Sequence, residues 1–167
     1  MAGELSAQYE RIFAEYRAAL DRLAASYESV PQAREDLMQE ILLAIWKALP
    51  RFRGDCSERT FVFRVAHNRC LSHVWRRGKR PETGDEAPDV PDTRSGPEAQ
   101  AAENRRRQAL RDAIRQLPLN YRQVILLALE DLSPPEIAGV LGVTENNVGV
   151  RMNRARKALR SLLEKHA

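Results

Sequence analysis

The last fifth of the chain carries a row of side chains that could read DNA. Apolar residues recur there at helical spacing, and a helical wheel turns one polar and basic set away from them. Asn can hydrogen-bond to adenine edges in the major groove, and Arg can pair with guanine or with phosphate. The candidate DNA-reading residues are Thr144, Asn146, Asn147, Val150, Arg151, Asn153, Arg154 and Lys157.

Two predicted helices and a tight turn would position this row. Ser133 and Glu136 have the spacing of a capping box, and Gly142 stands where a left-handed residue ends a short helix. Thr144 is placed to cap the next helix. The apolar residues of that helix follow at steps of four, three and four: Val148, Met152, Ala155 and Leu159. This pattern predicts a helix-turn-helix, with a solvated basic face on a helical hairpin as the alternative.

A second candidate region, residues 51–80, combines nine basic with two acidic residues and interleaves them with aromatic rings. Cations that follow phosphates and rings that stack on bases are typical of proteins that bind unpaired DNA. Phe61 and Trp75 fit the inward face of the predicted helix, so we expect them in the core. Phe52 and Phe63 are expected to be at least partly exposed.

Metal binding and catalysis find little support in the sequence. His67, Cys70 and His73 could be imagined with Cys56 as a zinc site, but His67 and His73 would lie about 120° apart on one helix and converge poorly on an ion. No Gly-rich phosphate loop and no nucleophile with a recognisable base occurs. We therefore predict a protein that is not an enzyme, with no cofactor and no metal, and with reduced cysteines.

The charge pattern divides the chain into three parts. Residues 81–96 hold five carboxylates, three prolines and one sizeable aliphatic side chain, so they cannot form a core. They are predicted to be a flexible acidic linker that holds two bodies apart without fixing their orientation. On either side, apolar residues recur three and four positions apart. The sequence predicts an all-α protein with two small helical domains, residues 1–80 and 97–167.

The ends and the hydropathy suggest where the protein works. No stretch is apolar for long enough to span a membrane, and the first residues lack the pattern of a secretory signal. A cytoplasmic location is therefore expected.

Within the first domain, Ser29 and Gln32 flank Val30-Pro31 in a capping-box-like start to the second helix.

Several segments in this order resemble the extracytoplasmic-function (ECF) group of sigma factors, in the sigma-70 family of bacterial RNA polymerase. The resemblance covers nearly the whole chain, and the order and spacing of its motifs around an acidic linker make it specific. The segments that carry it are 34–46, 64–68 with 76–77, 117–118, 121–122, 133–141 and 144–156.

The resemblance implies three contact sets and three partners: core RNA polymerase, promoter DNA and an anti-sigma protein. Polymerase would bind Asp36, Gln39, Glu40 and Trp46. The melted −10 promoter element would bind Phe52, Arg53, Arg59, Phe63, Arg64, His67, Asn68, Arg76 and Arg77. The row on the last helix, described above, would read the −35 element.

The chain departs from the family pattern at five positions. His67 stands where Arg is common, Ser72 where Asp is common, and Phe61 where Trp is common. Gly149 and Val150 replace frequent Lys and Ser, and Val150 could touch a thymine methyl group. Two other functions stay open at this point: a stand-alone helix-turn-helix regulator, and a sigma-like decoy that binds polymerase without reading promoters.

Overall fold

The computed structural model describes residues 1–78 and 96–165, which form seven α-helices and a 3-10 turn, with no strand in either range. The all-α prediction is confirmed. The predicted linker lies outside the described residues except for Gly96. The helices are α1 Ala2–Tyr27, α2 Pro31–Ala48, α3 Glu58–Arg77, α4 Pro97–Gln116, α5 Leu119–Leu129, α6 Pro134–Leu141 and α7 Glu145–Lys165, with the 3-10 turn at Leu49–Arg51.

Helices α1 to α3 form an N-terminal bundle around side chains spaced three and four apart. Ile12, Leu20, Leu37 and Ile41 are almost completely buried, as the apolar stripes predict. The Ser57 hydroxyl caps α3 by accepting a hydrogen bond from the Thr60 amide at 3.1 Å. The predicted cap of α2 is wrong, because Val30 precedes the helix, no side chain caps it, and Pro31 occupies its first turn.

A second bundle consists of α4 to α7. Its core contains Val124, Leu127, Ile137 and Val148, all nearly inaccessible to solvent. The Leu117–Pro118 step separates α4 from α5, because proline disfavours a helical residue before it. The short loop after α5 passes through Asp131, a non-glycine residue with φ of 59°.

The two bundles pack against each other, chiefly through α3 and α6. Their buried side chains form one continuous apolar cluster. This arrangement differs from the expectation of two bodies held apart, which rested on the composition of the linker alone. Contacts between surfaces that are distant in sequence, and invisible to a composition argument, bring the bundles together.

A cluster of charged and polar side chains around the buried Glu28 lies at the end of α3 in the N-terminal bundle. The Glu28 side chain is nearly inaccessible, and its carboxylate contacts Arg77 and lies 2.6 Å from Nε2 of His73. It also accepts a hydrogen bond from the Val30 amide at 3.0 Å. Glu28 thus joins the end of α3 to the turn between α1 and α2.

Among the described residues, no helix is both long and apolar enough to cross a membrane.

Candidate nucleic-acid interface

The turn between α6 and α7 has the geometry that the sequence predicts. Ser133 and Glu136 form a reciprocal capping box at the start of α6, with the Ser133 amide donating to the Glu136 carboxylate at 2.7 Å. Gly142 ends the helix with φ of 67°, a left-handed conformation that favours glycine. The amides of Gly142 and Val143 both donate to the Ala138 carbonyl. The helix-turn-helix prediction is confirmed at each of these positions.

Helix α7 presents a polar outer face. The Thr144 hydroxyl accepts from the Asn147 amide at 3.1 Å and so caps the helix. Val148 and Ala155 are buried, and Met152 is nearly so. In the predicted DNA-reading row, Arg151 is half-buried, and the other seven residues are exposed. The row is therefore accessible to a large ligand.

The charge of this face is strongly positive. Arg151, Arg154 and Lys157 have no ion-pair partner among the described residues, and the same holds for Arg156 and Arg160 farther along the helix. Unpaired cations aligned on one helix suit a phosphate backbone, because their binding releases condensed counterions. Arg156 and Arg160 are not among the DNA-reading residues predicted from the sequence, although Arg160, three positions after Lys157, lies near the same face.

Only some residues of the second predicted DNA-binding set, the −10 set, are exposed in the fold. Asn68, Arg76 and Arg53 are exposed, together with Arg69, which the sequence analysis did not select. The other residues of this set are buried, or half-buried and in contact with other protein groups. Phe52 is half-buried and stacks on Phe61, with ring centroids 4.6 Å apart. Only part of the set could meet DNA in this arrangement.

Three expectations about aromatic and histidine side chains of α3 are wrong. Phe63 is 1% exposed and meets Tyr16 edge to face inside the N-terminal core, so it is not available for stacking. Trp75, expected in the core, is 66% exposed near the end of α3. His67 is 2% exposed. The buried stripe of α3 runs through Val62, Phe63, Ala66, His67 and Cys70, about one position away from the predicted stripe through Phe61, Val62, Val65 and Ala66.

His67 is a neutral buried imidazole. Burial lowers its pKa to about 4, because a cation in an apolar site loses its hydration. Neither ring nitrogen has a hydrogen-bond partner among the described residues, and the Tyr27 ring lies edge-on at 6.2 Å. His67 therefore supplies no cation to a DNA phosphate in this arrangement.

Arg59 and Arg64, also in the predicted −10 set, reach across to the C-terminal bundle. Arg59 donates to the main-chain carbonyl of Glu130, and Nε of Arg64 donates to the carbonyl of Gly139 at 3.0 Å. Both guanidinium groups are half-buried. One donor of each guanidinium group is therefore already bonded to the C-terminal bundle.

Arg76 and Arg77 end α3 in ion pairs of different kinds. Arg76 donates to the Glu40 carboxylate at 2.7 Å, in a pair that is about half exposed on both sides. Arg77 contacts the buried Glu28. Arg76 can exchange its partner for a phosphate at little cost, since exposed pairs are weak, whereas Arg77 is tied to the fold.

The residues predicted to bind polymerase share the outer face of α2. Asp36 and Gln39 are exposed, and Glu40 is partly exposed. Trp46 is 43% exposed and rests its ring edge-on against Tyr9, at 5.0 Å. Leu43, which the sequence analysis missed, is 51% exposed between them. Its position four residues after Gln39 was the available signal.

The cysteines and histidines do not assemble. No group of three or more metal-binding side chains occurs in residues 1–78 and 96–165. Cys56 and Cys70 are free thiols, and burial raises the pKa of Cys70 to about 12. A thiol that stays protonated is a poor nucleophile and a poor metal ligand.

Comparison with known protein families matches both bundles. Residues 12–80 match the sigma-70 region 2 family, and residues 107–159 match the sigma-70 region 4 family. These ranges contain α2, α3 and the helix-turn-helix. The family matches therefore cover the three surfaces described above.

Relatives of known identity agree with this match. The chain is 32% identical to the RNA polymerase sigma-H factor of Pseudomonas aeruginosa, over 80% of this chain and 74% of that protein. It is 31% identical to the ECF RNA polymerase sigma-E factor of Escherichia coli K12, over 74% and 70% of the two chains. With the RNA polymerase sigma factor CnrH of Cupriavidus metallidurans it shares 30% identity over 93% and 86%.

Solved structures extend the likeness to the whole fold. The structure of CnrH in complex with the cytosolic domain of CnrY has a TM-score of 0.72 and 27% identity, covering 98% of this chain and 97% of that one. The sigma factor RpoE of Bartonella quintana, in complex with the anti-sigma factor NepR, has a TM-score of 0.73 at 21% identity, covering 94% and 97%. The chain belongs to the ECF group of the sigma-70 family of RNA polymerase sigma factors.

Proposed function

We propose that this protein joins core RNA polymerase in the cytoplasm and directs it to a set of promoters, and that polymerase alone performs the chemistry. The observation that carries the proposal is the outer face of α7. Seven of its eight predicted DNA-reading residues are exposed on a capped helix-turn-helix whose apolar side is buried. Membership of the sigma-70 family supports the same function.

In this proposal the two bundles divide the work. Residues 1–80 bind polymerase through the outer face of α2 and meet the −10 element through the exposed end of α3, which carries Asn68, Arg69 and Arg76. Residues 97–167 read the −35 element with α7. The predicted linker, 81–96, connects them. Duplex readout by one helix and contact with melted DNA by another are physically distinct tasks.

An anti-sigma protein is the third proposed partner. CnrH and the Bartonella RpoE were each solved with a bound partner protein, which in the RpoE structure is an anti-sigma factor. Both structures resemble this chain over nearly its whole length. We expect a protein that binds both bundles at once and blocks access to polymerase.

Run-off transcription tests the proposal. Core RNA polymerase is given fragmented genomic DNA with and without this protein, and new 5′ ends are mapped. We expect discrete start sites that share two spaced upstream motifs. The variant Asn153→Ala should lose about tenfold to a hundredfold of this activity, as one base contact is worth about 1–3 kcal/mol.

The matched control is Ala101→Gln, at an exposed position of α4 outside both predicted DNA-binding sets, which should transcribe like the wild type. Co-elution with polymerase without any new start sites would instead identify a decoy. DNA binding without co-elution would identify a stand-alone regulator.

A further inference from the structure

The last turn of α3 is attached to the rest of its bundle by one buried side chain, Glu28. Glu28 is 2% exposed, and its carboxylate contacts the Arg77 guanidinium and lies 2.6 Å from Nε2 of His73. A buried carboxylate needs such partners, because burying an unpaired charge is very costly. Arg77 supplies the cation, since a guanidinium group does not lose its proton in proteins. Glu28 therefore connects the end of α1 to the end of α3.

The attached side of this turn lies opposite to an exposed side. His73 and Arg77 are four positions apart, so they face Glu28 together. Trp75 lies about 200° round the helix from His73 and is 66% exposed. Asn68, which is exposed as well, lies within about 20° of Trp75. Glu28 thus holds α3 from the side that faces away from Asn68 and Trp75.

Two arginines border the face that carries Asn68 and Trp75. Arg69 and Arg76 are both exposed. Arg76 donates to the Glu40 carboxylate at 2.7 Å and to the main-chain carbonyl of Ser72 at 3.3 Å. An exposed ring beside exposed cations suits unpaired DNA, because cations follow phosphates and rings stack on bases. The exposed Trp75 thereby joins the residues that could contact the promoter.

The end of α3 is not capped in the way that the end of α6 is. Gly142 ends α6 in a left-handed conformation, whereas Gly78 after α3 has φ of −58°. The Gly78 amide donates to the Val74 carbonyl at 2.9 Å, as in an ordinary helical turn. Helix ends fray unless caps or packing hold them. Because the Arg76 pair is half exposed and therefore weak, the buried contacts of Glu28 are expected to hold this turn.

We propose that Glu28 is a positioning residue for promoter binding: it holds the last turn of α3 so that Trp75 and Arg76 face DNA. Glu28 itself is buried and acts through these two residues. The inference rests on the proposed function, since it requires that the exposed end of α3 meets the −10 element. Neither Glu28 nor Trp75 is among the residues predicted from the sequence to bind DNA.

Backbone order parameters from NMR test whether Glu28 holds the turn, because they report motion within the folded chain. Glu28→Gln keeps the size of the side chain and removes the charge that binds Arg77. We expect amide order parameters over residues 75–78 to fall from about 0.85 to below about 0.6, while those over 62–66 stay near 0.85. Glu10→Gln, at an exposed position of α1, is the matched control and should behave like the wild type.

Unchanged order parameters over residues 75–78 would overturn the attachment of the turn to Glu28. Circular dichroism verifies that the variant keeps its helices. If Glu28→Gln does not fold, Glu28→Asp replaces it, since it keeps the charge and shortens the side chain by one methylene group.

The salt dependence of DNA binding tests the positioning role. Core polymerase carrying this protein is bound to a single-stranded oligonucleotide with the −10 element of a start site mapped by run-off transcription. Losing one phosphate contact makes the slope of log affinity against log salt concentration shallower by about 0.7 for single strands. Arg76→Gln should show this change, and Glu28→Gln should show it too. Removing an acidic charge would otherwise favour DNA binding, so Glu10→Gln should not weaken it.

The double variant Glu28→Gln with Arg76→Gln separates positioning from a general loss of stability. If Glu28 acts through Arg76, the double variant has the same slope as each single variant. Slopes that add would overturn the positioning of Arg76. Leu20→Ala, a change in the core of the same bundle, lowers the folded fraction and should leave the slope unchanged.

Trp75→Ala tests the exposed ring. It should weaken binding of the same oligonucleotide by about tenfold and leave the salt slope unchanged, because the indole carries no charge. In the Glu28→Gln background the same change should have a smaller effect. An equal loss in both backgrounds, or no loss in either, would overturn the positioning of Trp75.

These measurements distinguish failure of this inference from failure of the proposed function. If no start site is found, or the wild-type complex does not bind the oligonucleotide, the proposed function fails and the positioning role fails with it. The order parameters still decide whether Glu28 holds the turn. If start sites are found and Glu28→Gln keeps the wild-type slope, the positioning role alone is overturned.

Discussion

The outer face of α7 and the predicted DNA-binding face of α3 are both predicted to bind DNA, but the fold exposes the first and largely covers the second. Seven of the eight residues selected on α7 are exposed. On α3, Phe63 and His67 are buried and Arg64 is bonded to α6. The α7 face was predicted from residue type and helical spacing, and the α3 face from its basic and aromatic composition and the family resemblance. The difference is that α7 contacts only helices of its own bundle, α4, α5 and α6, and keeps its outer face exposed, whereas α3 contacts α1 and α2 of its own bundle and also α6 of the other one.

The comparison shows what helical periodicity can and cannot decide. A helix with one neighbouring layer has one buried stripe, and its opposite face is exposed by default. A helix whose neighbours belong to two bundles, as α3 does with α1, α2 and α6, has more than one buried stripe. Assigning a DNA role to its basic and aromatic residues then requires knowing every neighbour.

The strongest way to break the comparison is to place a charge on each side of α7. Val148 is 1% exposed and Val150 is 40% exposed, two positions apart. Val148→Asp should lower the free energy of unfolding by about 4 kcal/mol or more, because it buries an unpaired carboxylate. Val150→Asp should change it by less than about 0.5 kcal/mol. Urea denaturation measures both.

A loss of transcription should have a different cause in each variant, which is unfolding for Val148→Asp and weaker DNA binding for Val150→Asp. Val150→Asp keeps the fold but repels phosphate, so we expect start-site activity to fall while the chain still co-elutes with polymerase. Equal stability losses in the two variants would mean that α7 is covered on both sides, and the contrast with α3 would disappear.

The two ion pairs at the end of α3 offer the next largest effect. Glu28→Gln leaves Arg77 without a buried counter-ion and should cost about 3 kcal/mol of stability, at the lower end for buried pairs because the Arg77 side chain is 30% exposed. Glu40→Gln removes the exposed partner of Arg76 and should cost less than about 1 kcal/mol.

Both variants can be compared by urea denaturation at neutral pH. If Glu40→Gln were as damaging as Glu28→Gln, Arg76 would be as firmly tied to the fold as Arg77. The proposal that Arg76 is free to exchange its partner for DNA would then lose its basis.

How far the sequence predicts the structure follows from the range of each interaction. The capping box at Ser133, the left-handed Gly142 and the Thr144 cap are contacts within four residues, and all three are confirmed. The second cap, at Ser29, fails because Val30 and Pro31 start α2 without a side-chain bond. Local signals predict elements well where a side chain has one obvious backbone partner.

Long-range contacts could not be predicted in the same way. The Arg22–Glu130 pair joins residues 108 positions apart, and Arg64 reaches Gly139 across 75. Many arginines and many carboxylates in this chain could have paired. Exposed Leu43 and Trp75 were missed or misplaced for a related reason, since an apolar side chain is expected inward until a partner surface is known.

The burial of His67 predicts a pH dependence that an exposed histidine would not have. Its pKa is about 4 in the folded chain and about 6.5 when unfolded. Between these values the unfolded chain binds more protons, so the free energy of unfolding falls as pH drops from 6.5 to 4. The full loss is about 3 kcal/mol, and above pH 7 the contribution to the pH dependence vanishes.

His67→Gln isolates this effect, because the amide does not titrate while His73 and the carboxylates titrate in both proteins. The free energy of unfolding is measured by urea denaturation at several pH values between 4 and 8. We expect the wild type to lose stability more steeply than the variant below pH 6.5. Parallel curves would mean that His67 is solvated and available to DNA, as the sequence alone suggested.

The smallest expected effect on stability compares two glycines that both lie inside helices but have different surroundings. Gly149 on α7 has open space around its Cβ position, so Gly149→Ala should raise the free energy of unfolding by about 1 kcal/mol through helix propensity alone. Gly139→Ala gains the same propensity, but its Cβ would meet Cγ2 of Thr60 at 3.0 Å. We expect that contact to cancel most or all of the gain. Urea denaturation of both variants resolves the difference, and an equal gain at Gly139 would mean that α3 and α6 are apart in the free chain, which would expose the face of α3 that carries Thr60 and Arg64.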